Sequence, residues 1–246
     1  MAIPKIIHHT KITPQMAVIQ NDAKTLTSDE ARMIRRLKGR LPGWEHRLWN
    51  NAGVAELVRE HYPQYLDSFL TIRRAMVQAD IIKYMYMAVY GGFYFDLDYK
   101  LYKSIDDSLL SHKCVLPISR ESDGEFRLGT AIFGSEPGYG FWNDFIKHIF
   151  EDRGTNEPLE TLAESRVEKV TGPEGMTDFY MARRELYADA YLPPRTYFHP
   201  KTSNMGLSIA KSKDTIGVHM SWGSWRSQSK IVRIVGPVAQ KITSII

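Results

Sequence analysis

The chain has 246 residues, of which 43% are hydrophobic and 24% charged, and its formal net charge is +4. This length fits one α/β domain, and the supply of apolar residues for a sizeable core excludes an intrinsically disordered chain. The basic residues are scattered, so the positive charge selects no class of partner, and the single cysteine, Cys114, excludes an internal disulfide.

The first quarter of the chain alternates between strand and helix patterns. A β-branched run at 3–8 predicts a buried strand, and Ser28 is expected to cap a helix over 28–40. Residues 44–50 alternate as a second strand, and residues 52–63 predict a helix that a proline ends.

An apolar helix then leads into a strand. Residues 72–90 are apolar on most sides, which predicts a buried helix, and Gly91 and Gly92 end it. Residues 93–98, FYFDLD, follow as a strand. Further strands are predicted within 113–118, 126–134 and 214–220, and further helices within 140–152, 151–170 and 173–186. The alternation of strands and helices predicts an α/β fold.

We expect one domain over residues 1–246, because no repeat or low-complexity linker interrupts the chain. Residues 228–246 alternate apolar and basic side chains, which predicts either an amphipathic segment on an anionic membrane or a segment packed on the domain. No apolar run approaches the roughly 20 residues of a membrane span, and the start shows no signal-peptide pattern. We therefore expect a cytoplasmic protein, peripheral to a membrane if the tail binds lipid, or an excised catalytic domain.

Two aspartates end the most apolar stretch of the chain. Alternate side chains of a strand point to the same face, so Asp96 and Asp98 are expected to point together, with Leu97 turned into the core. Two like charges this close raise each other's pKa unless a cation lies beside them, and carboxylate oxygens favour magnesium, manganese or calcium. The alternative is a strand-end turn with two solvated aspartates.

The segment QADIIKYMYMAVYGGFYFDLD, at 78–98, resembles the signature of glycosyltransferase family 32 and its relatives, the sugar-transferring toxins. Other segments match in order, namely IPKIIHH, GTAIFGSEPGYGFW, TGP at 171–173, and the stretch from His219 to Trp225. The resemblance implies a GT-A type fold, with a Rossmann-like mixed central sheet flanked by helices. It also implies retaining transfer of a sugar from a UDP- or GDP-sugar, with Mn²⁺ or Mg²⁺ on the diphosphate.

The resemblance assigns roles to individual residues. Asp98 would coordinate the metal, Asp96 would touch the metal or the donor ribose, and His219 would be a further ligand. Asp80 would accept hydrogen bonds from the sugar hydroxyls, so that the three aspartates form the catalytic set. The predicted substrate-binding residues are His8, His9, Asp80, Lys83, Tyr94, Asp96, Ser224 and Trp225. Of these, Tyr94 is included because strand alternation places it on the face of Asp96.

The chain departs from the family pattern at several positions. Lys83 stands where the family usually has arginine, so a planar fork of donors becomes a point charge. Gly129 and Thr130 stand where an asparagine is often found. No tryptophan follows the HHT sequence at 8–10, so base stacking there is not predicted.

Several of these residues have a structural alternative. Asp80 and Lys83 lie three apart on a helix and would then form a surface ion pair. His219 would be a core histidine, and Trp225 a core side chain. For His8 and His9 the structural alternative is packing in the core.

Two other classes of protein stay open. A phosphatase of the haloacid dehalogenase type also has an apolar strand that ends in Asp-X-Asp, but usually near the start of its chain. A non-catalytic nucleotide-sugar binder would keep the metal site and lack the chemistry, as the change at Lys83 permits. For a transferase, the acceptor is a glycan, a lipid-linked glycan or a protein hydroxyl. We expect no nucleic-acid partner.

Overall fold

The computed structural model describes residues 3–12, 26–153, 157–201 and 209–221. Its strands span Ile6–Thr10 (β1), Glu45–Trp49 (β2), Gly92–Phe95 (β3), Tyr99–Leu101 (β4), Cys114–Val115 (β5), Ile118–Ser122 (β6), Glu125–Leu128 (β7), Ile132–Ser135 (β8), Ala190–Tyr191 (β9) and Gly217–His219 (β10). Its α-helices span Ser28–Arg40 (α1), Asn51–His61 (α2), Leu66–Thr71 (α3), Ala75–Tyr90 (α4), Asp107–Leu110 (α5), Gly140–Lys147 (α6), Glu164–Val170 (α7), Pro173–Ala182 (α8) and Arg195–Phe198 (α9).

A mixed six-stranded sheet forms the centre, in the order β2–β1–β3–β8–β5–β9. Strand β1 pairs in parallel with β2 and β3, whereas β8 runs antiparallel to β3 and β5. Two small antiparallel sheets, β10–β4 and β6–β7, lie outside it. The predicted α/β fold with a mixed central sheet is confirmed.

The two faces of the sheet belong to two separate apolar clusters. Tyr94 and Phe133 pack in the cluster that contains helices α2, α4, α6 and α8. Phe93 and Phe95 point the other way, into a cluster that contains Leu37 of α1. This alternation follows from the pleat of β3, and burial of each large side chain contributes roughly 1.5–3 kcal/mol.

The double glycine between α4 and β3 allows a backbone turn that other residues would obstruct. Gly91 and Gly92 have φ of 61° and 94°, a region that favours glycine. A Cβ on Gly91 would lie 2.6 Å from the carbonyl oxygen of Ser135, and one on Gly92 would lie 2.6 Å from that of Ile6. These glycines therefore let β3 enter the sheet directly after the helix, beside β1.

Several predicted boundaries are wrong. Thr27, not Ser28, caps α1, because its side chain accepts from the Glu30 backbone N–H while the Glu30 carboxylate accepts from the Thr27 backbone N–H. Helix α4 begins at Ala75 instead of at 72, since 72–74 form an extended link after α3.

The predicted strand over 126–134 is two strands, β7 and β8, separated by residues 129–131. The first of them forms a hairpin with β6 through Asp123 and Gly124, both with positive φ. In the described part of the chain, none of the helices has the length and apolar character of a membrane span.

Candidate active site

A cavity of about 820 Å³ opens at one edge of the central sheet. Residues 10–12 line it from the end of β1, and residues 96–98 from the end of β3. Because β8 is antiparallel to β3, the segment 129–131 that precedes β8 reaches the same edge. The carboxyl ends of strands in open α/β sheets are the usual place for a ligand, and the volume suits a substrate pocket.

Asp96, Asp98 and His219 meet in this cavity. His219 Nε2 lies 3.0 Å from Asp98 Oδ1 and 3.4 Å from Asp96 Oδ2. Two backbone contacts bring the imidazole there: His219 is opposite Tyr99 in the β10–β4 pair, and the Met220 N–H donates to the Asp98 carbonyl over 3.1 Å. One ligand atom from each of the three side chains lies within 4.8 Å of the others.

The charges of this cluster depend on one another. Burial raises the pKa of Asp96, and Asp98 raises it further, while His219 and Lys83 oppose the shift. Burial lowers the pKa of His219, but its hydrogen bond to Asp98 and the charges of both carboxylates outweigh burial, so the pKa is raised. The two carboxylates therefore favour the protonated form of the imidazole.

The donor set fits a divalent cation. Two carboxylates and one imidazole converge, and their side chains keep between 15% and 30% of their exposure, so the cluster is open to a ligand in the cavity. The Tyr94 hydroxyl donates to Asp96 Oδ1 and orients that carboxylate. Oxygen ligands suit Mg²⁺ and Mn²⁺, and the imidazole favours Mn²⁺ over Mg²⁺.

Leu97 does not occupy its predicted place in the core. It is half-buried and lines the cavity, because β3 ends at Phe95 and residues 97–98 form a turn. The Tyr99 N–H donates to the Asp96 carbonyl over 3.0 Å and closes this turn. The two carboxylates thus converge through a turn rather than through strand alternation.

Asp80 and Lys83 form a buried ion pair on the cavity wall, so the alternative of a surface pair is wrong. Lys83 Nζ donates to Asp80 Oδ1 over 2.5 Å, and the Thr171 hydroxyl donates to Oδ2 over 3.0 Å. Burial raises the pKa of Asp80, while Lys83 and Thr171 oppose that shift. Asp80 is thereby held as a hydrogen-bond acceptor at the edge of the cavity, one helical turn before Lys83.

His8 and His9 lie inside the sheet and do not line the cavity. His8 donates from Nε2 to the Gly91 carbonyl over 2.9 Å and accepts at Nδ1 from the Trp49 indole N–H, also over 2.9 Å. His9 Nδ1 lies 2.8 Å from the Phe95 carbonyl oxygen. The histidines thus tie β1 to Gly91 and Phe95, at the two ends of β3, and their contact with a nucleotide stays a prediction.

Ser224 and Trp225 lie outside the described residues, as does the tail at 228–246. Their predicted roles at the diphosphate and at a membrane therefore stay predictions.

Part of the cavity wall consists of residues that the sequence patterns do not predict. Arg120 on β6 and both Arg195 and His199 at the two ends of α9 line the cavity. Arg195 and His199 are four residues apart, which places them on one side of a helical turn. This spacing is the only signal in the sequence, and nothing in it indicates which other elements the turn packs against.

The mixed sheet with helices on both faces is a fold of the GT-A type. Residues 27–116 match the family described as "Glycosyltransferase sugar-binding region containing DXD motif". Asp96 and Asp98, in the sequence DLD, lie in that segment and are its DXD motif. The match identifies this part of the chain as a DXD-motif glycosyltransferase region and confirms the resemblance.

Similar proteins of known name are glycosyltransferases. The chain is 26% identical over 147 residues to "Mannosyl phosphorylinositol ceramide synthase SUR1" of Saccharomyces cerevisiae, covering 60% of this chain and 35% of that protein. It is 29% identical over 108 residues to "Inositol phosphoceramide mannosyltransferase 3" of Schizosaccharomyces pombe, covering 44% and 28%. The chain thus spans about a third of the length of these relatives.

Among solved structures, "PaToxG Glycosyltransferase" has a similar fold, with a TM-score of 0.51 and 14% identity over 76% of this chain and 72% of that one. This likeness supports the GT-A fold.

Proposed function

We propose that the protein is a metal-dependent retaining glycosyltransferase that moves a sugar from a UDP- or GDP-sugar to a hydroxyl acceptor. The observation that carries the proposal is the convergence of Asp96, Asp98 and His219 in the same cavity as the buried Asp80. One group of side chains suits a cation on a diphosphate, and the other suits the hydroxyls of a sugar.

The chemistry requires stabilisation of a leaving group. When the bond from the anomeric carbon to the diphosphate breaks, negative charge develops on the departing phosphate. Asp96, Asp98 and His219 would hold Mn²⁺ or Mg²⁺, which when bound supplies Lewis-acid stabilisation of that charge. In the retaining route, the acceptor attacks from the face that the diphosphate leaves, and the departing phosphate oxygen takes the acceptor proton.

Asp80 is proposed to orient the donor sugar. Lys83 and Thr171 fix the carboxylate from two sides, so it keeps one position while its remaining lone pairs accept from sugar hydroxyls. Lys83 places a compact positive charge beside Asp80. Unlike arginine, it has no planar fork of donors. Tyr94 is proposed to act at the donor through Asp96.

The remaining donor contacts are proposed from the resemblance. His8 and His9 would border the nucleotide indirectly, because they position residues 10–12, which line the cavity. Ser224 and Trp225 would contact the diphosphate. The indole N–H of Trp225 can donate to a phosphate oxygen.

The acceptor is proposed to be a glycan, lipid-linked or protein hydroxyl. The yeast relatives are named for inositol phosphoceramide and its mannosyl product. An inositol phosphate head group is therefore the first acceptor to test, and a membrane is a natural location for a lipid-linked one.

Two alternatives are separated from this proposal by turnover. The family match favours a transferase over a haloacid dehalogenase-type phosphatase. A non-catalytic nucleotide-sugar binder would share the geometry but would release no nucleotide from its ligand.

The proposal is tested by thermal unfolding with a panel of UDP- and GDP-sugars, each with and without Mn²⁺. A donor at about 100 times its Kd stabilises the fold by about 2.7 kcal/mol, so the correct donor raises Tm only together with the metal. Release of UDP or GDP from that donor then shows catalysis. A panel without any metal-dependent shift would contradict the proposal, and a shift without nucleotide release would favour the non-catalytic binder.

A further inference from the structure

Among the described residues, two arginines on the cavity wall have no carboxylate partner. Five cationic side chains line the cavity within the described residues: Lys11, Lys83, Arg120, Arg127 and Arg195. Three of these are neutralised by carboxylates on the same wall, in the pairs Lys11–Glu30 at 2.7 Å, Lys83–Asp80 at 2.5 Å and Arg127–Glu168 at 2.9 Å. Over the same residues, Arg120 and Arg195 form no ion pair or hydrogen bond with a side chain.

The two arginines come from elements that contact each other. Arg120 lies on β6 and Arg195 begins α9, and these elements pack together on the cavity wall. Arg120 is exposed, whereas the Nε of Arg195 is buried with no hydrogen-bond partner in the described chain. A buried donor without an acceptor is unfavourable. A ligand that supplies an acceptor atom would therefore stabilise this guanidinium.

A second unpartnered group lies beside them. His199, at the end of α9, is 9% exposed and lines the cavity. Its Nε2 is buried and also has no partner among the described residues. Two polar atoms at the ends of α9, four residues apart, therefore have no hydrogen-bond partner in the described chain, and the His199 ring itself packs against Gly129.

This group lies on the opposite side of the aspartates from β1. In the sheet order, β3 with its aspartates lies between β1 on one side and β8 and β5 on the other. Hairpin β6–β7 follows β5 and leads into β8. The hairpin thus joins the two strands on the far side of β3 from β1, and it carries Arg120 on the cavity wall.

We propose that Arg120 and Arg195 bind a phosphate group of the acceptor substrate, on the cavity wall where α9 packs on β6. The assignment of the phosphate to an acceptor rests on the proposed function. The binding of a phosphate at this place rests on the two arginines that have no partner in the described chain. Arginine presents a planar fork of N–H donors that matches phosphate oxygens, and two such forks offset the negative charge of a phosphate monoester or diester. The phosphate anchors the acceptor so that its hydroxyl reaches the sugar beside the metal.

Direct binding tests this site without donor or metal. Isothermal titration compares myo-inositol 1-phosphate, myo-inositol and inorganic phosphate, and sedimentation compares vesicles of phosphatidylcholine with and without phosphatidylinositol. The variants are R120A, the double variant R120A/R195A, and R184A. Arg184 is exposed on the segment after α8 and does not line the cavity, so it controls for loss of one positive charge.

We expect wild-type protein to bind a phosphorylated probe and not myo-inositol. The double variant should lose at least about tenfold in affinity, which corresponds to about 1.4 kcal/mol, while R184A keeps the wild-type value. R120A removes an exposed side chain and should show part of the loss with an unchanged Tm, which separates binding from misfolding. Binding of the soluble probe alone indicates a free phosphate, and binding of the vesicles alone indicates a lipid head group.

Absence of wild-type binding to every phosphorylated probe would overturn the site, as would a loss in R184A equal to that in the double variant. The variant D98N separates this result from the proposed function. It should keep its affinity for the phosphorylated probe, because Asp98 belongs to the metal cluster. If no sugar donor is ever turned over, the arginine-dependent phosphate binding still stands.

Discussion

Lys83 shows how a charged residue is accommodated beside the cavity. Its ammonium group is 5.5 Å from the centre of the Tyr94 ring and donates to Asp80, and the whole side chain is buried. A buried charge requires a partner of opposite sign, since an isolated one is strongly unfavourable. The lysine is therefore needed for the fold as well as for the proposed donor site.

The variant K83M tests this dependence. It leaves Asp80 buried without its cation, so we expect the free energy of unfolding to fall by about 3–5 kcal/mol. The double variant D80N/K83M removes both charges and should be more stable than K83M alone. Urea denaturation of the two variants measures this, and a double variant less stable than K83M would contradict the account.

Among the structural elements, α9 explains the glycine between β7 and β8. The imidazole of His199 lies against Gly129, and a Cβ at that position would collide with Nε2 of the ring. The Gly129 N–H donates to the Pro117 carbonyl over 2.7 Å, which holds the segment close to the end of β5. A side chain at 129 is therefore excluded by packing between elements, rather than by the backbone conformation of the glycine.

The variant G129A should lower the free energy of unfolding by about 1–3 kcal/mol, the usual cost of overpacking. The double variant G129A/H199A should recover most of this loss, because the colliding ring is removed. G39A provides the control, since a Cβ at Gly39 meets no atom within 4 Å. Calorimetric Tm values measure these differences. A G129A protein as stable as the wild type would show that the His199 ring does not exclude a side chain at position 129.

The sequence predicts the central part of this arrangement and misses its periphery. Helix α4, the double glycine and Asp96 with Asp98 follow one another in the chain, so local patterns suffice to place them. Arg195 comes to the cavity only through packing of α9 on β6. Because Arg195 is far from Asp96 in the sequence, no local pattern predicts that both line the same cavity. The hairpin turn at Asp123 and Gly124 is the exception, because Asp-Gly is a recognisable local signal for a two-residue turn.

For the molecule as a whole, buried histidines make stability depend on pH. His8 both donates to Gly91 and accepts from Trp49, which only a neutral imidazole can do. Burial lowers the pKa of His8 to about 3, against about 6.5 in the unfolded chain. Between these values the unfolded state binds more protons, so the contribution of His8 is complete above the unfolded pKa and is lost as the pH falls towards the folded one.

The variant H8Q isolates this contribution. The difference in unfolding free energy between wild type and H8Q should shrink by about 2 kcal/mol between pH 7 and pH 5. Guanidinium denaturation at several pH values measures it. Parallel curves for the two proteins across this range would show that His8 is not held neutral by the fold.

The central claim is that Asp96, Asp98 and His219 hold a divalent cation against the diphosphate of a sugar donor. The most direct measurement is Mn²⁺ binding, followed by electron paramagnetic resonance of the free ion, with UDP or GDP present. Wild-type protein should bind Mn²⁺ at least about tenfold more tightly than D98N, a difference of about 1.4 kcal/mol, while the exposed control D178N should match the wild type. Equal Mn²⁺ affinity in wild type and D98N would contradict the claim.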